Sequence, residues 1–203
     1  MKYFNLNQLT YALLASYSNA LLGVFGIIAI TLGHVDLAFI LLILAALLDA
    51  FDGVIARLHV QTVTQQTLGT VADSVADMVS FGVLPIVIFL SITPLNWVTG
   101  IVATLYVFAA IHRLSVFTVN ALQTHTATRR FTGLPVVMGA ATLAISYALW
   151  GSYEWFGSFM TGLVLILAIL FVSKLSIPKP RGLVSYAGYV LIAGLTIVGV
   201  VLW

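Results

Sequence analysis

Long apolar runs separated by short polar breaks are the feature that most constrains this sequence. Each run is close to the roughly 20 residues that an α-helix needs to cross a bilayer. The runs cover residues 17–33, 36–57, 68–91, 95–118, 134–151, 155–173 and 184–203. Only 7% of the 203 residues are charged and 62% are hydrophobic, whereas soluble domains carry about 25% charged residues. The sequence therefore predicts an all-α polytopic membrane protein, a bundle of about six to eight transmembrane helices.

The rest of the sequence bears on the number of domains, on thiol chemistry and on nucleic-acid binding. No linker or internal repeat divides the chain, so we predict one transmembrane domain over residues 1–203. The start is not typical of a signal peptide, because Asn and Gln interrupt any short apolar core; residues 3–16 are a candidate helix on the membrane surface. The absence of cysteine excludes disulfides and thiol chemistry. A formal charge of +2 gives no indication of nucleic-acid binding, and we predict no nucleic-acid partner.

Charge placement predicts the orientation in the membrane. If the N-terminus is cytoplasmic and each run crosses once, every basic residue falls at a cytoplasmic end or loop, as the positive-inside rule requires. These residues are Lys2, Arg57, Arg113, Arg129, Arg130, Lys174, Lys179 and Arg181. Asp36 and Glu154 fall on the outside. Pro85 and Pro135 are predicted to mark kinks or ends of helices.

Four of the six acidic residues lie in two neighbouring apolar runs: Asp49, Asp52, Asp73 and Asp77. Spacings of three and four residues put each pair on one helix face. A polar loop, 59–67, joins the two predicted helices, which should therefore pack antiparallel. Asp49 then comes level with Asp77. Asp52 comes level with Asp73, so all four carboxylates converge near the cytoplasmic surface.

Small residues beside these carboxylates favour close approach of the two helices. They are Gly53, Ala56, Gly69 and Ala72. Converging carboxylates either take up protons or bind cations. Oxygen ligands without His or Cys suit hard divalent ions such as Mg²⁺, Mn²⁺ or Ca²⁺, and two such ions would neutralise four carboxylates. Arg57, about one turn further along, can bind a phosphate through two parallel hydrogen bonds.

The carboxylates alone leave three interpretations open. A two-metal carboxylate site is common in phosphoryl-type transfer, where the ions hold both the attacked group and the leaving oxygen. Acidic residues at membrane depth also line the pathways of divalent-cation transporters. Charged pairs that only join two helices are the structural alternative.

The spacing of these residues resembles a known family signature. The segment reads Asp49-x-x-Asp52-Gly53-x-x-Ala56-Arg57, followed by Gly69-x-x-x-Asp73-x-x-x-Asp77. This resembles the signature of the CDP-alcohol phosphatidyltransferases. Residues 58–68, between Arg57 and Gly69, form a longer spacing than the family pattern has, and the extra residues fall in the polar loop, where insertions are tolerated.

The resemblance implies a membrane-embedded enzyme of phospholipid biosynthesis, with the whole chain as its catalytic domain. It would transfer a phosphatidyl group from a CDP-lipid to a small alcohol and release CMP. Two divalent cations, Mg²⁺ or Mn²⁺, would be held by Asp49, Asp52, Asp73 and Asp77. Asp77 would also be the catalytic base that takes the proton of the alcohol. The nucleotide and pyrophosphate pocket would be lined by Gly53, Ala56, Arg57 and Gly69. The resemblance also implies a homodimer surrounded by membrane lipids.

Further segments resemble one branch of the family, the membrane-embedded phosphatidylserine synthases. They are residues 18–30, 73–85, 112–119, 131–141 and 172–180. Serine is therefore the expected acceptor. Val116 and Thr118 depart from an Arg and an Asn of the branch pattern, so glycerol 3-phosphate, inositol phosphate and inositol stay open as acceptors.

Two further residues are candidate substrate contacts. Arg113, at the inner end of the fourth run, is either a site residue, as the resemblance implies, or a membrane-interface anchor. Asn19 is either a nucleotide contact or the cap of the first helix.

Overall fold

The chain folds into a bundle of α-helices, and the computed structural model describes residues 10–55, 62–123, 130–178 and 183–201. The predicted all-α class is confirmed, because each predicted span corresponds to one helical stretch. The helices are α1 (Tyr11–Thr31), α2 (Val35–Ile55), α3 (Val63–Asp77), α4 (Leu84–Ile92), α5 (Trp97–Gln123), α6 (Val136–Trp150), α7 (Phe156–Val172) and α8 (Leu183–Val201). A π-helical segment, Met78–Val83, joins α3 to α4.

The first helix begins earlier than the apolar pattern predicts. The Thr10 side chain caps α1 by accepting a hydrogen bond from the Leu13 amide, at 3.2 Å. Residues 11–16 therefore belong to α1 rather than to a separate surface helix. The rest of that predicted helix, residues 3–9, lies outside the described residues.

The polar loop predicted at 59–67 is wrong for its second half. The Thr62 side chain accepts from the Gln65 amide at 3.3 Å, and the Gln65 side chain accepts from the Thr62 amide at 2.9 Å. This capping box starts α3 at Val63. Its Thr-x-x-Gln pattern is a helix-start signal that the sequence already carries.

Pro85 explains the irregular hydrogen bonding at the end of the π-helical segment. The Leu84 amide donates to the Val79 carbonyl, five residues back. Pro85 has no amide hydrogen, so it cannot donate to the Phe81 carbonyl four residues before it. The buried Tyr106 hydroxyl of α5 donates to that carbonyl instead, at 3.0 Å. Pro85 thus marks an irregular turn and Pro135 directly precedes α6, which confirms the prediction for both.

Three helical stretches among the described residues are long and apolar enough to cross a bilayer: Leu13–Thr31, Val63–Ile92 and Trp97–Gln123. Shorter apolar helices lie at Val136–Trp150, Phe156–Val172 and Val190–Val201. Together with the composition, these helices identify a membrane protein.

One further helix packs against both of the helices that the sequence predicts to lie antiparallel, α2 and α3. In the described residues, α1 packs extensively against α2 and also against α3. Helix α1 therefore supports both helices that carry the carboxylates. Elsewhere in the bundle, α5 packs against α7.

A short sheet joins the connection before α6 to the connection after α7. Strand β1 (Arg130–Thr132) pairs antiparallel with β2 (Ser176–Pro178), with Phe131 opposite Ile177. Gly133 follows β1 with φ of +81°, and a Cβ there would lie 2.7 Å from the Phe171 carbonyl oxygen. Only glycine fits this turn, which leads into α6.

Candidate metal and catalytic site

Three carboxylates meet where α2 and α3 approach each other. Asp49 comes from α2, and Asp73 and Asp77 come from α3, one turn apart on the same face. One carboxylate oxygen from each residue lies within 4.8 Å of the other two. Asp77 is buried, with 7% of its surface exposed, and the other two are half-buried.

This oxygen spacing fits a divalent cation. Ligand oxygens that share one ion at about 2.0–2.6 Å lie at most roughly 5 Å apart. The donor set consists of carboxylates alone, which is the chemistry that Mg²⁺ and Mn²⁺ prefer. A bound cation would offset the repulsion among three negative groups in a site that is partly withdrawn from water. The three side chains are therefore suited to hold a metal ion.

The remaining motif residues on α2 are only partly described. Asp52 and Gly53 lie in the last turn of α2, three and four residues after Asp49. Their side-chain contacts are outside the described part of the chain, as are Ala56 and Arg57 altogether. The predicted roles of these four residues stay predictions.

Asn19 of α1 contacts the carboxylate cluster. Its amide nitrogen, Nδ2, donates a hydrogen bond to Asp77 Oδ1 at 3.0 Å, and only 1% of the residue is exposed. Because a carboxylate can only accept, the nitrogen of the carboxamide must face it. Asn19 Oδ1 is buried and has no hydrogen-bond partner among the residues described. Asn19 lies in the middle of α1, and the N-cap of that helix is Thr10. Of the two roles predicted for Asn19, that of helix cap is therefore wrong.

Two contacts that sequence reasoning missed hold α1 against the π-helical segment. The Ser80 hydroxyl donates to the Asn19 carbonyl oxygen at 2.8 Å. A Cβ at Gly23 would lie 2.6 Å from Ser80 Oγ and 3.0 Å from Ser80 Cα. The signal was present, since Asn19, Gly23 and Gly26 share one face of α1 at helical spacing. All three are buried.

Gly69 has open space beside it among the described residues. A Cβ added at this half-buried position would meet no atom within 4 Å among these residues. The predicted hairpin places Gly69 level with Arg57, which lies outside the described residues, so close helix packing at Gly69 stays a prediction. Gly69 lies two turns before Asp77 on α3, and the space beside it is compatible with the predicted nucleotide pocket.

Arg113 is buried in the bundle rather than extended to its surface. Only 7% of the residue is exposed, and its Nε donates to the Leu134 carbonyl oxygen at 3.2 Å. A guanidinium has further donors beyond Nε, and a buried cation requires an anionic or polar partner.

The two positions that depart from the branch pattern lie in different environments on α5. Val116 is 39% exposed. The Thr118 hydroxyl is hydrogen-bonded to that of Ser74, the residue after Asp73, and also donates to the Leu114 carbonyl oxygen at 2.8 Å. Residues two apart on a helix do not share a face. Thr118 thus contacts the helix that carries Asp73 and Asp77.

Comparison with known proteins agrees with this geometry. The sequence model of the family described as CDP-alcohol phosphatidyltransferase matches residues 9–196. The chain therefore belongs to the CDP-alcohol phosphatidyltransferase family, as the carboxylate motif predicts.

Several curated proteins are similar over most of this chain. The chain is 31% identical over 171 residues to archaetidylserine synthase of Methanothermobacter thermautotrophicus, covering 84% of this chain and 70% of that protein. It is 32% identical over 154 residues to CDP-diacylglycerol–serine O-phosphatidyltransferase of Mycobacterium tuberculosis, covering 70% of this chain and 51% of that protein. The aligned region thus spans about half the length of the mycobacterial relative.

Proposed function

We propose that this protein transfers a phosphatidyl group from a CDP-lipid, such as CDP-diacylglycerol, to the hydroxyl of L-serine and releases CMP. The convergence of the Asp49, Asp73 and Asp77 carboxylates, in a chain of this family, is the observation that carries the proposal. Both relatives named above have serine in their names. The lipid tail, diacyl or ether-linked, is left open, because the two names differ in it.

In the proposed reaction, the alcohol oxygen attacks the phosphorus that bears the lipid. A new phosphorus–oxygen bond forms, and the bond from that phosphorus to the oxygen of CMP breaks. Asp77 accepts the proton of the alcohol through its carboxylate. Asp49, Asp52, Asp73 and Asp77 would hold two divalent cations, Mg²⁺ or Mn²⁺. When bound, these cations supply charge neutralisation at the pyrophosphate, which makes CMP a better leaving group.

The other predicted contacts have separate tasks in this proposal. Arg57, Gly53, Ala56 and Gly69 line the pocket for the nucleotide and pyrophosphate. Arg113 offers its remaining guanidinium donors to an anionic group of the substrates, either the lipid phosphate or the serine carboxylate. The site faces the cytoplasm, because all eight basic residues fall on that side of the proposed topology. A homodimer is proposed from the family resemblance alone.

A panel of acceptors tests this function directly. Purified protein in detergent is supplied with CDP-diacylglycerol, Mn²⁺ or Mg²⁺, and one alcohol at a time: serine, glycerol 3-phosphate, inositol phosphate or inositol. We expect CMP release to depend on metal and to be fastest with serine. Faster release with another alcohol would reassign the acceptor. If no alcohol supports CMP release while the protein carries Mn²⁺ into liposomes, the enzyme assignment is wrong and transport replaces it.

A further inference from the structure

The buried carboxamide of Asn19 contacts the carboxylate cluster from a helix other than α2 and α3. Its Nδ2 donates to Asp77 Oδ1 at 3.0 Å. Its helix, α1, contributes none of the four carboxylates. A partner from a separate helix can set the orientation of Asp77 independently of α3.

Two contacts with Ser80 hold the part of α1 that carries Asn19 against the π-helical segment. The Ser80 hydroxyl donates to the Asn19 carbonyl oxygen at 2.8 Å, and Ser80 is fully buried. Gly23, one turn further along α1, approaches Ser80 so closely that a Cβ would lie 3.0 Å from Ser80 Cα. Asn19 and Asp77 are thus fixed relative to each other by backbone contacts and by the side-chain hydrogen bond.

The carboxamide oxygen of Asn19 indicates a role beyond joining two helices. Asn19 Oδ1 is buried and has no hydrogen-bond partner in the described residues, although buried acceptors are usually paired. It belongs to the same carboxamide whose nitrogen contacts Asp77, so it lies beside the carboxylate cluster. A group that binds at the cluster and has a hydrogen to donate would satisfy it.

We propose that Asn19 is a positioning residue for Asp77, which orients that carboxylate for cation binding and for proton acceptance. This inference rests on the proposed function for its catalytic part, but not for its cation-binding part. Residues that hydrogen-bond to a metal-ligating carboxylate orient it, and their removal commonly weakens metal affinity or activity by about 10- to 100-fold. The role differs from a nucleotide contact, which would act on the affinity for the CDP-lipid.

The test uses Asn19→Leu, which keeps a branched side chain of similar shape and removes the donor, and Asn19→Ala as a second variant. Ser18→Ala is the matched control, because the exposed Ser18 hydroxyl bonds to Leu14 on its own helix. Mn²⁺ affinity of the purified protein is measured by the paramagnetic resonance signal of free Mn²⁺. The kcat and KM for CDP-diacylglycerol are measured by CMP release, and the unfolding midpoint in detergent is measured without metal.

We expect Mn²⁺ affinity to fall by about tenfold in both Asn19 variants. Their kcat should be lower, and their KM for CDP-diacylglycerol should stay within about twofold of the wild-type value. Ser18→Ala should match the wild type in all of these measurements. Wild-type Mn²⁺ affinity combined with a raised KM would overturn the inference and make Asn19 a nucleotide contact. A lower unfolding midpoint with unchanged Mn²⁺ affinity and kcat would also overturn it, since Asn19 would then only join helices. If the wild-type protein releases no CMP, the proposed function fails, while the ratio of Mn²⁺ affinities still decides the role of Asn19.

Discussion

The C-terminal end of α3, at Asp77, and its middle, at Gly69, have different surroundings among the described residues. Near Asp77, α1 lies so close that Gly23 has no room for a Cβ beside Ser80, and Asn19 and Ser80 bond across the contact. Near Gly69, two turns earlier, a Cβ would meet no described atom within 4 Å. Within the described residues, one helix therefore carries a packed end at Asp77 and an open middle turn at Gly69.

This difference separates two requirements of the proposed reaction. A base and its metal ligands must be held within a narrow range of positions, which close packing and hydrogen bonds provide. A nucleotide needs space that opens to it, and no described atom lies within 4 Å of a Cβ at Gly69. Helices in a bilayer gain little from burial of apolar area, so small residues and hydrogen bonds hold the packed end together. Substitutions at the packed end and at the open middle turn should therefore have different consequences.

The largest effect is expected at the packed end, in Asp77→Asn. The amide keeps the size of the carboxylate but cannot accept the proton of the alcohol at the same position, so turnover should fall by about 10²- to 10⁴-fold. Equilibrium binding of CDP-diacylglycerol should persist. The measurements are CMP release and a direct binding titration.

Asp36→Asn is the control, because Asp36 accepts a hydrogen bond from the Tyr147 hydroxyl at 2.6 Å, away from the cluster, and the amide oxygen can still accept. Turnover that survives Asp77→Asn would remove its role as base.

Gly23→Ala should have the next largest effect, because it tests the packing rather than the chemistry. The added methyl group would clash with Ser80 Oγ at 2.6 Å and with Ser80 Cα at 3.0 Å, so the backbone of the π-helical segment must move. We expect a destabilisation of about 1–3 kcal/mol, seen as a lower unfolding midpoint in detergent, together with reduced turnover.

The control for this prediction is Gly162→Ala on α7, where a Cβ meets no described atom within 4 Å. That substitution should leave both the unfolding midpoint and turnover at or above the wild-type values. Equal midpoints for the Gly23 and Gly162 variants would mean that α1 can move away from Ser80 without penalty.

The sequence predicted the features that depend on one helix at a time. The apolar runs predicted the helices, and the spacing of Asp73 and Asp77 predicted their shared face. The capping box at Thr62 and Gln65 was equally readable from the sequence, but the polar composition of 59–67 favoured a loop.

Relationships between helices were harder to predict. The period of α1 shows that Asn19 and Gly23 share a face, but not which helix that face contacts. The π-helical segment also shifts the phase of the chain after Asp77, so the position of Ser80 could not be extrapolated from α3. A small residue such as Gly69 also looks the same in sequence whether it admits a helix or a ligand.

The smallest effect is expected at the open middle turn of α3, in Gly69→Ala. Because the methyl group meets no described protein atom, and because alanine favours a helix over glycine by about 1 kcal/mol, the unfolding midpoint should not fall. A methyl group in the space of the nucleotide, however, carries an overpacking penalty of about 1–3 kcal/mol. The KM for CDP-diacylglycerol should then rise at least about fivefold, with kcat and Mn²⁺ affinity near the wild-type values.

The same control, Gly162→Ala, should share the unchanged unfolding midpoint but not the raised KM. A wild-type KM in the Gly69 variant would mean that the nucleotide does not occupy the space beside Gly69. A lower kcat with an unchanged KM would mean that the packed part of α3 extends to Gly69.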